Sequence, residues 1–279
     1  MRYLTWNDIR IPSRKAGSRK GDNGKVLVIG GSREYVGAVA LAGIAALCAG
    51  ADWVTVFTTE KVGWAVNALS PDLVVSKVKG DYLSIRHVRK ALEIEKKHDV
   101  VLIGNGISMK SGSFVRAFIR KSKKPMVLDA DALKFVSIAD VHDSILTPHE
   151  REYQILLQNS AFPKTADIRR FVGNNVIIRK GPVDQIIAIK GLYYNKTGNA
   201  GMTKAGTGDV LAGIAAGFYA QSGNALESAK AAAYISGMAG DILLKRRKGF
   251  TYLASDIADE IKKILKKARR NPAKSCEQQ

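Results

Sequence analysis

Disulfide frameworks, membrane spans and repeats all lack a basis in this 279-residue chain. Its two cysteines, Cys48 and Cys276, stand far apart, one in an apolar run and one in a polar tail, and give neither a disulfide pattern nor a metal-ligand spacing. No run approaches the roughly 18 uninterrupted apolar residues that a membrane span needs. The opening stretch MRYLTWNDIRIPSRKAG has no apolar core ahead of a small-residue cleavage site, so no signal peptide is expected. A soluble, cytoplasmic protein with no membrane partner follows. No internal repeat and no Pro- or Ser-rich linker interrupts the chain, so a single domain over residues 1–279 is expected, with about 269–279 as a frayed basic tail.

Acidic residues are scarce as well. Lys and Arg number 44 against 25 Asp and Glu, a net charge of +19 that would attract polyanions. The bases are nevertheless spread out, with one local excess, KKILKKARRNPAK, near the C-terminus. They are not interleaved with aromatics in the way that stacks nucleotides, and no zinc-finger or RNP-type pattern is present. A solvated basic surface accounts for the charge, a substrate carrying several phosphates would suit it, and a nucleic-acid partner is not expected.

What is present is alternation. The β-branched runs KVLVIG (25–30), WVTVFT, DLVVSKV, VVLIGNG and PMVLDADA are interleaved with helical stretches at 36–50, 61–69, 84–97 and 111–122. That order marks βαβ units, a mostly parallel sheet with helices on both faces. The texture then changes. NVIIRKG, DQIIAIKG and LYYNKTG are separated by short turns and predict a small antiparallel meander. Two alanine-rich helices follow, GDVLAGIAAGFYAQ and NALESAKAAAYISGMAGDILLKRR, and an amphipathic helix over about 255–268.

Glycine is concentrated where the meander ends. GMTKAGTGDVLAG places glycines at 201, 206, 208 and 213, with Asp209 as its only acid. The loop feeds a helix, whose first amides lack intrahelical partners and whose dipole points its positive end outward, so it is suited to a phosphate. It is neither a Walker A loop nor a dinucleotide fingerprint. A tight turn with Asp209 in the first helical turn would explain the glycines without any ligand. A carboxylate beside a phosphate cradle can also take the proton of a hydroxyl that attacks phosphorus. Asp209 is the candidate catalytic base.

These residues resemble a known family. Gly-x-Gly-Asp before an Ala-rich helix, late in a doubly wound α/β chain, looks like the ribokinase-like fold. Within it the chain is similar to the ADP/ATP-dependent NAD(P)H-hydrate dehydratases. The matching pieces are GGSREYVGAVALAG, IGNGI, VLDADAL, LTPHEREYQIL, IIRKGPVDQII and NKTGNAGMTKAGTGDVLAGI, in order over about residues 20–262. The resemblance implies cofactor repair: the hydroxyl of hydrated NADH or NADPH (the S form) is phosphorylated by ADP or ATP, and phosphate is then eliminated. ADP is the favoured donor and would give AMP and phosphate.

By the same resemblance Asp209 activates the substrate hydroxyl. Gly206, Thr207 and Gly208 hold nucleotide phosphates, and Lys180, Gly181, Pro182, Val183 and Asp184 line the nucleotide site. Ala38, Gly104, Gly106 and His149 contact the hydrated dinucleotide. Each has a plainer reading: packing for Ala38, turn chemistry for Gly104 and Gly106, capping for His149, a strand end for Lys180. Mg²⁺ is the implied cofactor, without assigned ligands; Asp129, Asp131, Glu152 and Asn199 are candidates to contact or organise it. A homo-oligomer, a tetramer, is implied, and a separate epimerase in the same pathway, because this chain has no room for the fused epimerase domain of some members. His87, His98 and His142 receive no role.

The chain departs from the family's pattern in four places. Ala205 stands where another glycine is usual, Asn105 and Ser108 stand for Pro and Gly, and Arg151 stands for the Gly of TPHxGE. Two other readings stay open: a vitamin-precursor or sugar kinase of the same fold, which would release a phosphorylated product, and a nucleic-acid binder relying on the basic surface and tail.

Overall fold

The computed structural model describes residues 1–162 and 167–270. The expected basic tail lies outside them, apart from the two residues that end the last helix. Seven strands run parallel in one sheet: β2 (Lys25–Ile29), β3 (Trp53–Thr59), β4 (Val74–Val78), β5 (Val100–Ile103), β6 (Met126–Leu128), β7 (Ser144–Leu146) and β8 (Val176–Arg179). The meander adds β9 (Asp184–Ala188), antiparallel to β8, and β10 (Gly191–Asn195), antiparallel to β9. The two-residue strand β1 (Arg2–Tyr3) pairs parallel to β10. The order is β1-β10-β9-β8-β7-β6-β5-β2-β3-β4, so the winding reverses between β2 and β5. In open α/β sheets such a switch point opens a crevice at the carboxyl ends of the strands.

The sheet is covered on both faces, which is why its strands read as continuous apolar runs. Alternate residues divide between two cores. Val26, Val28, Val54 and Val56 join the helices α1 (Val36–Cys48), α2 (Glu60–Leu69), α6 (Thr207–Ser222), α7 (Ala225–Arg247) and α8 (Ala254–Arg270). Leu27, Ile29, Phe57 and Val101 join α3 (Val88–Glu95), α4 (Gly112–Lys121) and α5 (Glu150–Asn159). The small residues of α1 and α6 allow a close crossing. A Cβ at Gly217 would lie 2.7 Å from the Ala46 carbonyl oxygen, and one at Gly213 would collide with that of Ala42. Among the described residues no helix is long and apolar enough to cross a membrane.

Three expectations are corrected. β1 and β7 fall outside the predicted runs, because two or three residues are too few to display a period. VVLIGNG ends as a strand at Ile103, since Gly104 takes φ = 125° and leaves the extended region. The helix expected over 84–97 divides into a 3₁₀ turn, Ile85–His87, and α3.

Candidate active site at the first turn of α6

The glycine-rich loop reaches the carboxyl ends of the strands and turns into α6 through Gly206. Its φ of 92° is left-handed, where an L side chain is strained. Thr207 fixes the turn by donating its hydroxyl to the carbonyls of Met202 (2.6 Å) and Lys204 (2.9 Å). The Val210 amide makes the first helical bond, to Gly206 (3.0 Å), while those of Gly208 and Asp209 have no acceptor among the described residues. They open on a cavity of about 770 Å³ lined by Gly206, Thr207, Gly208, Asp209 and Lys180. A Cβ on Gly208 would stand 3.4 Å from Lys180 Nζ, so an ammonium sits directly beside the unpaired amides. Unpaired amides, the positive end of a helix dipole and a cation together make an anion site.

Behind the loop lies a chain of polar contacts drawn from four strand ends. Asn105, just after β5, donates from Nδ2 to Asp209 Oδ1 (2.7 Å) and to Asp129 Oδ2 (3.0 Å). Asp129, just after β6, also accepts from Thr147 Oγ1 (2.7 Å) and Lys180 Nζ (2.9 Å). Asn105 and Asp129 are fully buried. Burial, and then the neighbouring charge of Asp129, push Asp209 up to about 7 against the opposing pull of Asn105 and Lys180. Burial alone would depress Lys180, but Asp129, Glu152 and Asp209 outweigh it and hold the ammonium above its ordinary range. Asp209 is thus poised to exchange a proton near neutrality while Lys180 stays charged.

The expected site residues fall into groups. Gly206, Thr207, Gly208, Asp209, Lys180, Gly181, Pro182 and Asp184 share the cavity wall; Val183, beside them, does not line it. Asp184 accepts from the Gly181 amide (3.0 Å) and from Asn195 Nδ2 (3.1 Å), and so closes the turn that carries Lys180. Its burial raises its pKa against those bonds. His149 lines the cavity and also caps α5: Nδ1 accepts from the amides of Arg151 and Glu152, and Glu152 Oε2 accepts from the His149 amide. Ala38, Gly104 and Gly106 stand outside that wall but next to it. A Cβ on Gly106 would lie 2.9 Å from that of Ala38, and one on Gly104 would strike the Asp129 carbonyl.

The candidates for a metal are otherwise engaged. Asp129 has three donors, Asp131 pairs with Lys134 (2.6 Å), and Glu152 pairs with His149. Asn199 accepts from Tyr252 (2.5 Å) and the Gly201 amide and donates to Asp241 (3.0 Å). No cluster of three or more His, Cys, Asp or Glu among the described residues could hold an ion. Thr147 and the bridging role of Asn105 escaped the sequence reading. β7 is too short to announce Thr147, and Asn105 registered only as a departure from the pattern.

A mostly parallel sheet switching at β2/β5, with a glycine-led helix start and its carboxylate at the crevice, defines the ribokinase-like class. A ribokinase-like superfamily protein of Enterococcus faecalis V583 superposes with a TM-score of 0.82 at 26% identity, over 95% of each chain. Within that class the chain belongs to the NAD(P)H-hydrate dehydratase family, whose model matches residues 26–263. An ADP/ATP-dependent NAD(P)H-hydrate dehydratase of Bacillus subtilis, solved with ATP and Mg²⁺, gives a TM-score of 0.77 at 26% identity over 92% of this chain and 94% of that one. The bifunctional NAD(P)H-hydrate repair enzyme of Methanocaldococcus jannaschii is 41% identical over 270 residues, 94% of this chain and 52% of that protein. The chain spans about half the length of the bifunctional relatives it matches. The ADP-dependent (S)-NAD(P)H-hydrate dehydratase of Cenarchaeum symbiosum is 34% identical over 95% of this chain and 97% of its own length.

Proposed function

We propose that this chain repairs hydrated NADH and NADPH, using an adenine nucleotide to convert a poor leaving group into a good one. The hydroxyl oxygen of the hydrated ring attacks the terminal phosphorus of the nucleotide, and its proton passes to the Asp209 carboxylate. With ADP as donor, AMP departs. The ring C–O bond then breaks, phosphate leaves, a proton is lost from the neighbouring carbon and the ring double bond returns. The observation that carries this reading is a carboxylate raised to about 7 in the same helical turn as two unpaired amides, joined through Asn105 to Asp129, which in turn accepts from the Lys180 ammonium at 2.9 Å. Base and phosphate cradle are one structure.

In this reading the nucleotide phosphates lie against Gly206, Thr207, Gly208 and Lys180, with Gly181, Pro182, Val183 and Asp184 around them. The hydrated dinucleotide approaches from Ala38, Gly104, Gly106 and His149. The residues present do not form a magnesium cage, so Mg²⁺ would enter on the nucleotide phosphates with most of its waters retained. Relatives that act with ADP support ADP as donor, and the fused repair enzymes support a link to an epimerase. The same loop on related folds also suits a small-molecule kinase.

One assay separates these readings. Purified protein is mixed with hydrated NADH, Mg²⁺ and either ADP or ATP, and the return of reduced-nicotinamide absorbance is followed. Recovery is expected, faster with ADP. No recovery with either nucleotide, but nucleotide consumption with a vitamin-precursor alcohol or sugar, would move the chain to the kinases.

A further inference from the structure

Asn105 is fully buried between two carboxylates that would otherwise face each other, and its Oδ1 has no hydrogen-bond partner. Leaving a buried acceptor unsatisfied costs about 1–3 kcal/mol, a penalty that an amide serving only the turn has no reason to carry. The orientation of the amide explains it. Only Nδ2 can donate, and it has two hydrogens, one for each carboxylate. Rotating the amide would set Oδ1 against Asp129 Oδ2 at 3.0 Å, two acceptors in contact. Thr147 and Lys180 both donate to Asp129 Oδ1, which fixes that carboxylate and leaves its Oδ2 to accept from Asn105. The amide is locked with its donors outward.

We propose that Asn105 is a positioning residue for the phosphoryl-transfer step: locked by Asp129, Thr147 and Lys180, its Nδ2 holds Asp209 Oδ1 as an acceptor and so keeps that carboxylate ready to receive the substrate's proton. This inference rests on the repair reading for its kinetic consequence, but not for its geometry. The ionisable groups facing Asp209 are Asp129 after β6 and Lys180 after β8; Glu152 on α5 acts through Lys180, and the first turn of α1, Val36–Ala40, brings no acid or base. Asn105 and Lys180 lower the proton affinity of Asp209, while burial and Asp129 raise it. Removing the amide therefore leaves Asp209 more readily protonated.

The test compares wild type with Asn105→Ala and Asn105→Ser, the second retaining one small donor. In kcat/KM against pH, the rising limb should move upward by about one unit in Asn105→Ala and by less in Asn105→Ser. Activity at pH 7 should fall about fivefold and recover at high pH. Nucleotide KM should change little. An unmoved limb with uniformly lower activity would overturn the proposal, because a structural defect is not rescued by base. The Asp209 carboxyl is also titrated by ¹³C NMR, identified by its loss in Asp209→Asn, in whichever of the two Asn105 variants folds. An upward shift supports the lock even if wild type shows no repair, and an unchanged titration refutes it whatever the reaction proves to be.

Discussion

The two ends of α6 are built from the same residue type for opposite purposes. At its start Gly206 and Gly208 leave space: one takes a left-handed backbone, the other keeps side-chain atoms away from amides that must meet a ligand. Two turns on, Gly213 and Gly217 remove space, letting α1 approach until its carbonyls lie where a Cβ would be. The first end keeps polar groups unpaired and a carboxylate away from its ordinary pKa; the second is closely packed and apolar. Stability and chemistry are thus separable along one helix, the packed end bearing the cost of the unsatisfied one.

Changes at the first end should affect turnover before they affect folding. The largest effect is expected from Asp209→Asn, which keeps shape but accepts no proton: turnover falls by on the order of 10² or more, with nucleotide binding nearly intact by calorimetry. Near-normal turnover would remove Asp209 from the mechanism. Lys180→Met should weaken nucleotide binding on the order of tenfold, the scale of a lost charge-assisted bond. It also strips Asp129 of its cation, at a cost of about 3 kcal/mol, so this variant blurs the two ends and its denaturation midpoint should drop as well.

At the packed end the order reverses. Gly217→Ala brings a methyl 2.7 Å from the Ala46 carbonyl oxygen and 2.8 Å from Ala49 Cβ, and should destabilise by about 1–3 kcal/mol while activity per folded molecule is unchanged. A further effect is a difference in pH dependence. Asp209 binds its proton more tightly folded than unfolded, so wild type loses stability as pH rises from about 4 to about 7. Asp209→Asn escapes that loss. Its melting temperature should exceed wild type at pH 8 by a few degrees and match it near pH 4; equal melting temperatures at both would mean that Asp209 is not strained by its site.

Much of this was legible in the chain. β-branched alternation, the meander and the alanine-rich helices carry the fold, because each is long enough to show its period. GTGD before an apolar run places Gly206, Gly208 and Asp209 at the start of a helix, because a glycine-led loop feeding an apolar run marks where that helix begins. What escaped lies in short pieces and in pairings across the sheet. β7 has three residues, so Thr147 gave no signal. Asp129 stood only as a candidate to contact Mg²⁺, and its partner went unseen because nothing local places Lys180 against it: 51 residues and two strand ends separate them. Asn105 and Asp209 are 104 residues apart, and only the switch in strand order brings them together.

The central claim is that Asp209, raised to about 7 beside the phosphate cradle, is the base. Its most direct test is kcat/KM against pH for the nucleotide-dependent recovery of NADH from its hydrate. The account predicts a rising limb with an apparent pKa near 7, set by the free enzyme. A limb in the ordinary carboxylate range, or a flat profile from pH 5 to 9, would contradict it.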